Sequence, residues 1–246
     1  MNKLDLYFPE SWTDLSDYQL YQIFNLFAKN YPLEKVKIFA LFKWNNMKVL
    51  AKNGNGSYLI TAGSAIKSPL YEISPIQIAE IFPLLSWIDT PSDYPVRLER
   101  IHFHKALPAD FQGVPFEKFL IADNLFQGYL ATQDDSLLDQ LLYVLYGISR
   151  FIKPYMRVNA FYWMTALKSF FSAKFNEFFQ PANSNDSSIN TPNSVEESMN
   201  AQIRALTKGD ITKEKEILQL DTWRALEELN AQAREYREFN SKYNKK

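Results

Sequence analysis

The sequence has no cysteine and only two histidines among its 246 residues. Disulfide bonds and thiolate metal sites are therefore excluded, and a small secreted scaffold held by disulfides is not expected. The sequence also lacks the glycine-rich phosphate-binding patterns of nucleotide-binding proteins and the GxSxG pattern of serine hydrolases. We therefore expect no cofactor, and no residue is assigned a catalytic role.

An excess of positive charge is also missing, since the formal net charge is -1. Proteins that neutralise many phosphate groups need a surplus of Lys and Arg, so nucleic acid is not an expected partner. The first residues, MNKLDLYFPESW, contain early acids and no apolar run followed by a small-residue cleavage site. This pattern is not that of a signal peptide and predicts an intracellular protein.

Apolar and aromatic residues are abundant, at 46% and 15% of the chain. The richest stretch is residues 155–179, YMRVNAFYWMTALKSFFSAKFNEFF, where apolar side chains cover nearly every face of the predicted helix. Such a helix is buried by its neighbours or inserted in a membrane. Its uncharged run, Val158–Leu167, is far shorter than the roughly 20 residues of a membrane span. The stretch predicts a central core helix and no membrane span, with a peripheral membrane adaptor as an alternative function.

Capping signals predict further helices around this core. Ser16 and Gln19 form a capping box for a helix that should end near Asn30. A second helix is expected over residues 33–43, with Val36, Phe39, Ala40 and Lys43 on one side. Other helices are expected to begin after Ser74, at Phe116, and at Asp134 or Asp135, the last of these ending at Gly147.

Short β-type runs interrupt these helices. Met47–Ala51 and Tyr58–Thr61 lie on either side of Asn53-Gly54-Asn55-Gly56. Asn-Gly pairs are strong hairpin signals because both residues tolerate positive φ. A third strand over Leu70–Ile73 would complete a small antiparallel hairpin sheet.

The two histidines, His102 and His104, lie in or next to an alternating run, Val96–Phe103, that predicts an edge strand. On a strand, their spacing would place both imidazoles on one face, as a two-histidine metal site requires. No HExxH pattern or nearby acid supplies the third protein ligand that catalytic zinc usually has. We interpret the pair as solvent-facing polar residues and assign no metal site, with a metal-dependent hydrolase as an alternative function.

The C-terminal part begins with a change of composition. Residues 181–197 are poor in apolar side chains and rich in Asn, Ser and Pro, which predicts a flexible linker. The linker would divide the chain into a globular body, residues 1–180, and a helical tail, residues 198–246. Within the tail, a helix over Met199–Lys208 should end at Gly209-Asp210.

The second tail helix, predicted over Thr212–Phe239, has an apolar stripe between faces of Glu and Arg. The stripe needs a partner, either the body or another chain, and a helix seated in a partner's groove is a common mode of recognition. Trp223 is the expected anchor because Trp is enriched at binding hot spots. The candidate partner-binding residues are Trp223, Leu226, Leu229, Ala233 and Tyr236.

Together these patterns predict a mainly α-helical α+β fold. It would have a helical core, a small antiparallel β-hairpin sheet and a C-terminal helical extension.

Three stretches also resemble a known class of proteins: FPESWTDLSDYQLYQIFNLF, PFEKFLIADNLFQGYLATQDDSLLDQLLYVLYG and IRALTKGDITKEKEILQLDTWRALEELNAQAREY. The residues that carry the likeness are Pro9, Trp12, Leu15, Phe119, Ala122, Asp123, Tyr129, Leu138, Leu141, Leu145, Tyr146, Gly209, Asp210, Trp223, Ala225, Leu226 and Leu229. The combination is similar to proteins from the structural-gene regions of tailed phages and prophages, of the kind grouped with tail-assembly chaperones or tail accessory proteins.

The resemblance implies a non-enzymatic assembly protein that binds phage tail or virion components through protein surfaces. It also implies a location in the cytoplasm of the bacterial host, or association with the virion. The shared residues are structural, so no catalytic residue is implied.

Overall fold

The computed structural model describes residues 6–62, 69–179 and 192–243. In these ranges the chain forms helices and two small antiparallel sheets, so the predicted mainly α-helical α+β class is confirmed. The chain divides into two compact units, Met1–Ser92 and Asp93–Lys246. The division therefore falls after Ser92 rather than in the predicted linker, and the residues of the predicted tail belong to the second unit.

Unit 1 contains helices around a three-stranded sheet. Its elements are a 3₁₀ turn (Trp12–Asp14), α1 (Asp17–Phe27), α2 (Leu33–Trp44), β1 (Met47–Lys52), β2 (Tyr58–Ala62), β3 (Leu70–Ile73), α3 (Pro75–Ile81) and a 3₁₀ segment (Phe82–Asp89). Ser16 and Gln19 form the predicted capping box at the start of α1, and Ser74 and Gln77 form another at α3. The helix starts of this unit were therefore predicted correctly from local signals.

The sheet of unit 1 is antiparallel with the order β1-β2-β3, as predicted. Ile60 lies at its centre, paired with Val49 on one side and Tyr71 on the other. Gly56, in the turn between β1 and β2, has φ of +85°, a backbone conformation that glycine adopts without strain. The sheet packs on a buried cluster of Leu41, Phe42, Met47, Ile60, Ile73 and Ile78.

The packed face of α2 agrees with the predicted side in part. Val36 and Ala40 are buried as part of it, but Phe39 is half-buried and Lys43 is exposed. The buried face extends instead over Leu41 and Phe42. Lys37 is also buried, and its Nζ lies 2.6 Å from the Asp89 carboxylate, so the buried charge has a partner. An ion pair at the end of a long aliphatic side chain is not visible in hydrophobic periodicity.

Unit 2 is built on helices, with one small hairpin before them. Its elements are β4 (Arg100–Ile101), β5 (His104–Lys105), α4 (Phe116–Thr132), α5 (Asp135–Tyr146), α6 (Pro154–Lys174), α7 (Asn176–Phe179), α8 (Pro192–Thr207), a 3₁₀ turn (Ile211–Lys213), α9 (Glu214–Gln219) and α10 (Thr222–Tyr243). The Asp134 carboxylate accepts the N–H of Ser136 at the start of α5, and Gly147 ends that helix with φ of +74°.

The aromatic helix α6 is the core of unit 2, as predicted. Trp163, Met164 and Phe171 are fully buried. The Trp163 indole donates to the Ala109 carbonyl over 2.7 Å, so its polar atom is satisfied inside the core. The Phe171 ring packs edge-on against Phe119 of α4 with 5.4 Å between centroids. These buried side chains of α6 are not available to a membrane surface, so this helix cannot serve a peripheral membrane adaptor in the way its sequence suggested.

None of the helices in the described part of the chain combines the length and the apolar character needed to cross a bilayer. This agrees with the short uncharged run found in the sequence.

The C-terminal segments differ from the prediction in two places. Helix α8 begins at Pro192 rather than at Met199, so residues 192–197 of the predicted linker are helical, while residues 181–191 lie outside the described residues. The final helix predicted from Thr212 is interrupted between α9 and α10, whereas the predicted break at Gly209 is present, with φ of +82°.

The interruption between α9 and α10 has a structural cause, which we call the clasp: Val114–Phe116 beside Leu220–Thr222. The Phe116 N–H donates to the Leu220 carbonyl over 2.8 Å, and the Thr222 N–H donates to the Val114 carbonyl over 2.8 Å. Pro115 and Asp221 form an isolated antiparallel bridge between them. This pairing requires Leu220 to have a non-helical backbone conformation. A helix that continued from α9 into α10 could not provide it.

Candidate functional site

The first half of the predicted partner-binding stripe packs inside unit 2. Leu226 and Leu229 are buried, and the Trp223 ring contacts the rings of Phe170 and Phe175. The Trp223 indole donates to the Asp110 carbonyl over 2.7 Å. Of the two partners considered for the stripe, the chain itself therefore takes these three residues.

The second half of the stripe is open to solvent. Ala233 is half-buried, and the Tyr236 side chain is 68% exposed. The neighbouring Arg237 forms an ion pair with Glu177 of α7 and also donates to its carbonyl, which fixes α10 beside α7 at this level. The stripe is thus divided into a docked part and an exposed part that carries Tyr236.

The histidine pair does not lie on one strand. His102 is in the turn between β4 and β5 with φ of +55°, while His104 is in β5 opposite Ile101. The predicted edge strand over Val96–Phe103 is therefore wrong, and the shared face required for a two-histidine metal site is lost. No group of three or more His, Asp or Glu side chains suited to a metal ion occurs within residues 6–62, 69–179 and 192–243.

The same turn presents an aromatic side chain that sequence reasoning overlooked. Phe103 is 83% exposed, and its nearest ring neighbour is His104, with 4.3 Å between centroids. In the loop between α5 and α6, Phe151 is 90% exposed. We call Phe103 and Phe151 the aromatic tips, because each is a largely exposed ring in a connecting segment.

The two loops are joined at their bases. The Leu107 N–H, just after β5, donates to the Leu145 carbonyl at the end of α5 over 3.0 Å. His104 Nδ1 lies 3.8 Å from the position that a Cβ on Gly147 would occupy. The β4–β5 hairpin therefore rests on the C-terminal end of α5, where the loop to Phe151 begins.

Cationic residues are neighbours of both tips in the sequence. The hairpin reads RIHFHK over residues 100–105 and the loop reads RFIK over residues 150–153, and neither contains an acid. Lys105, Arg150 and Lys153 are exposed, and none of them forms an ion pair with a residue that the structure describes. These two acid-free, aromatic-containing segments were the available sequence signal for this surface.

A separate cavity of about 690 Å³ lies between α4, α6, α7, α8 and α10. Asp123 and Lys168 line it, and their charged atoms are 2.8 Å apart with both side chains largely shielded from solvent. The Lys168 ammonium also lies 5.4 Å from the Phe179 ring centroid. Because the two charges compensate each other, the pair presents no net charge to a ligand.

Comparison with protein-family models, curated proteins and solved structures finds no match to this chain. Its function is therefore argued from its own residues.

Proposed function

We propose that the protein is a non-enzymatic assembly protein of a tailed phage or prophage, of the tail-assembly-chaperone or tail-accessory type. Its partners would be tail or virion proteins, bound in the cytoplasm of the bacterial host. The resemblance of the three sequence stretches supports the phage setting. The exposed outer half of α10 supports action through protein contacts, and this is the observation that carries the proposal.

The outer half of α10 is held in place by the docked half. Leu226 and Leu229 are buried and the Trp223 indole is hydrogen-bonded, so the helix direction is fixed before any partner arrives. The Arg237–Glu177 pair adds a second attachment nearer the outer end. A preordered helix loses less conformational entropy on binding than a free one, which favours affinity.

Tyr236 is the expected anchor in a partner groove. An exposed tyrosine provides a large apolar ring and a hydroxyl that can hydrogen-bond, and Tyr is enriched among residues that dominate binding energy. Truncation of such an anchor typically costs about 2 kcal/mol or more, which is roughly a thirtyfold loss of affinity. Ala233, one turn earlier, is small enough to allow a partner helix to approach closely.

The test is affinity capture of purified tail-tube, tape-measure and other tail or virion proteins by the full chain. We expect at least one to bind, and we expect Tyr236→Ala to weaken that binding by roughly thirtyfold. Tyr18→Ala is the matched control, because Tyr18 is also on a helix and is 63% exposed. If none of the tail and virion proteins binds, or if the two variants bind equally well, the proposal fails.

A further inference from the structure

We propose that the aromatic tips, Phe103 and Phe151, together with the cationic side chains beside them, form a binding surface for the headgroup region of an anionic lipid bilayer. This activity goes beyond the proposed protein contacts of α10 and uses different residues.

The first argument is the placement of the two rings. At 83% and 90% exposure, Phe103 and Phe151 contribute almost nothing to the core. Each is in a loop that contains a left-handed backbone conformation. His102, the residue before Phe103, has φ of +55°, and Phe151 itself has φ of +56°. A bulky side chain in this conformation is an outlier, and such outliers concentrate at functional positions.

The second argument is charge complementarity. Arg150 and Lys153 flank Phe151 in sequence, and Lys105 is in the strand that follows Phe103. Glu99 immediately precedes the hairpin, and its backbone carbonyl accepts the Ala106 N–H over 3.0 Å. The segments that carry the tips, residues 100–105 and 150–153, therefore contain cations and no acid. Clustered Lys and Arg side chains are attracted to the negative surface of anionic lipid.

The third argument distinguishes lipid from single-stranded nucleic acid, which proteins also bind with cationic and aromatic side chains. Nucleic-acid sites use a groove that follows the backbone and rings on which successive bases stack. Phe103 and Phe151 instead are on two separate loops, and of the rings in the described part of the chain only the adjacent His104 lies near Phe103. Exposed apolar rings in loops that also carry cations match shallow insertion among headgroups, where apolar burial and electrostatic attraction add.

The joined bases of the loops explain why both tips would act together. The Leu107–Leu145 hydrogen bond joins the chain just after the hairpin to the end of α5, and His104 lies beside Gly147. Two insertions on one rigid base bind more tightly than either alone, because the second contact is intramolecular.

The experiment is flotation of the purified full chain with vesicles of phosphatidylcholine alone or mixed with phosphatidylserine. We expect binding only to the anionic vesicles, weakened by added salt. The double variant Phe103→Ser/Phe151→Asn should lower the partition coefficient by roughly a hundredfold, because each of the two inserted rings contributes roughly tenfold. The double variant Arg150→Gln/Lys153→Gln should lower it on anionic vesicles by about tenfold or more.

Tyr236→Ala is the control, since it should retain lipid binding while losing the protein partner proposed for α10. Far-ultraviolet circular dichroism of each variant checks that the fold is intact. The proposal is overturned if the unaltered chain stays unbound to anionic vesicles, or if the phenylalanine double variant binds them as well as the unaltered chain. Binding of single-stranded oligonucleotides in place of vesicles would also overturn it, in favour of a nucleic-acid surface.

Discussion

The Asn159 side chain donates to the Tyr146 hydroxyl over 2.9 Å at a point where Asn159 is fully buried. The Tyr146 hydroxyl in turn donates to the Leu98 carbonyl over 2.7 Å, and the side-chain oxygen Oδ1 of Asn159 accepts the Leu98 N–H over 2.9 Å. The three residues form a closed ring of hydrogen bonds that joins the segment before β4 to α5 and α6. Polar groups at this depth are costly unless every one has a partner, and here each has one.

Removing the tyrosine hydroxyl is expected to leave two of these groups without a partner. Tyr146→Phe should reduce the free energy of unfolding of unit 2 by about 1–3 kcal/mol, because the Leu98 carbonyl and the Asn159 amide remain buried and unsatisfied. Urea unfolding followed by circular dichroism measures the change. Tyr143→Phe is the matched control on the same helix, since Tyr143 is 62% exposed, and it should change the stability little.

The two ends of the α10 stripe are expected to respond differently to truncation. Trp223→Ala should reduce the free energy of unfolding by about 3–5 kcal/mol, because it removes a ring packed on Phe170 and Phe175 and a hydrogen bond to Asp110. Tyr236→Ala should change it by no more than about 0.5 kcal/mol, as for other exposed positions. Thermal unfolding of both variants tests the contrast, and equal losses would show that Tyr236 is a structural residue.

The helix cap at α5 should make stability depend on pH in the acid range. The N–H and the hydroxyl of Ser136 both donate to the Asp134 carboxylate, which lowers the pKa of Asp134 below its ordinary value of 3.8. Because the folded pKa is below the unfolded one, the stabilisation is complete above the unfolded pKa and is lost as pH falls through the folded value.

The substitution Asp134→Asn tests the predicted pH dependence of stability, because asparagine also caps helices but does not ionise. The unaltered chain should have the higher melting temperature at neutral pH, where the negative carboxylate also interacts favourably with the helix N-terminus. The difference should shrink below about pH 4 as the carboxylate is protonated. A difference that is the same at neutral pH and at about pH 3 would show that the charge of Asp134 does not contribute.

Relieving the backbone at Phe151 should stabilise the fold. Left-handed φ costs a bulky residue about 1–2 kcal/mol, and Asn tolerates it better. Because the ring is 90% exposed, Phe151→Asn should raise the free energy of unfolding by about 0.5–1 kcal/mol. Phe103→Asn is the control, since Phe103 does not have positive φ, and it should give no such gain. A loss of stability in Phe151→Asn would mean that the ring supports the loop.

Local sequence signals were sufficient for most of the secondary structure. The capping box at Ser16, the Asn-Gly turn at Gly56 and the stop at Gly147 each depend on residues within a few positions, and each is present in the structure. The amphipathic or all-apolar character of longer segments likewise identified the buried helix α6. These features are set by backbone preferences and side-chain polarity, which the sequence displays directly.

The errors occurred where long-range contacts decide the conformation. The alternating run before Phe103 turns back at His102, and the helix predicted from Thr212 is opened by pairing with Val114 and Phe116. Whether an apolar stripe is covered also depends on distant partners, so docking of Leu226 could not be distinguished from binding to another chain. The exposure of Phe151 likewise depends on whether a distant segment covers it, so it could not be predicted from the local sequence.

The clasp between Val114–Phe116 and Leu220–Thr222 has a consequence for synthesis on the ribosome. Its two sides are separated by more than a hundred intervening positions, as the pairing of Pro115 with Asp221 shows. Until the second side has been translated, the nascent unit 2 lacks the residues that cover Phe170 and Phe175. During that interval its aromatic interior is open to aggregation and to general chaperones, so slowing translation just before Leu220 should lower the yield of native protein.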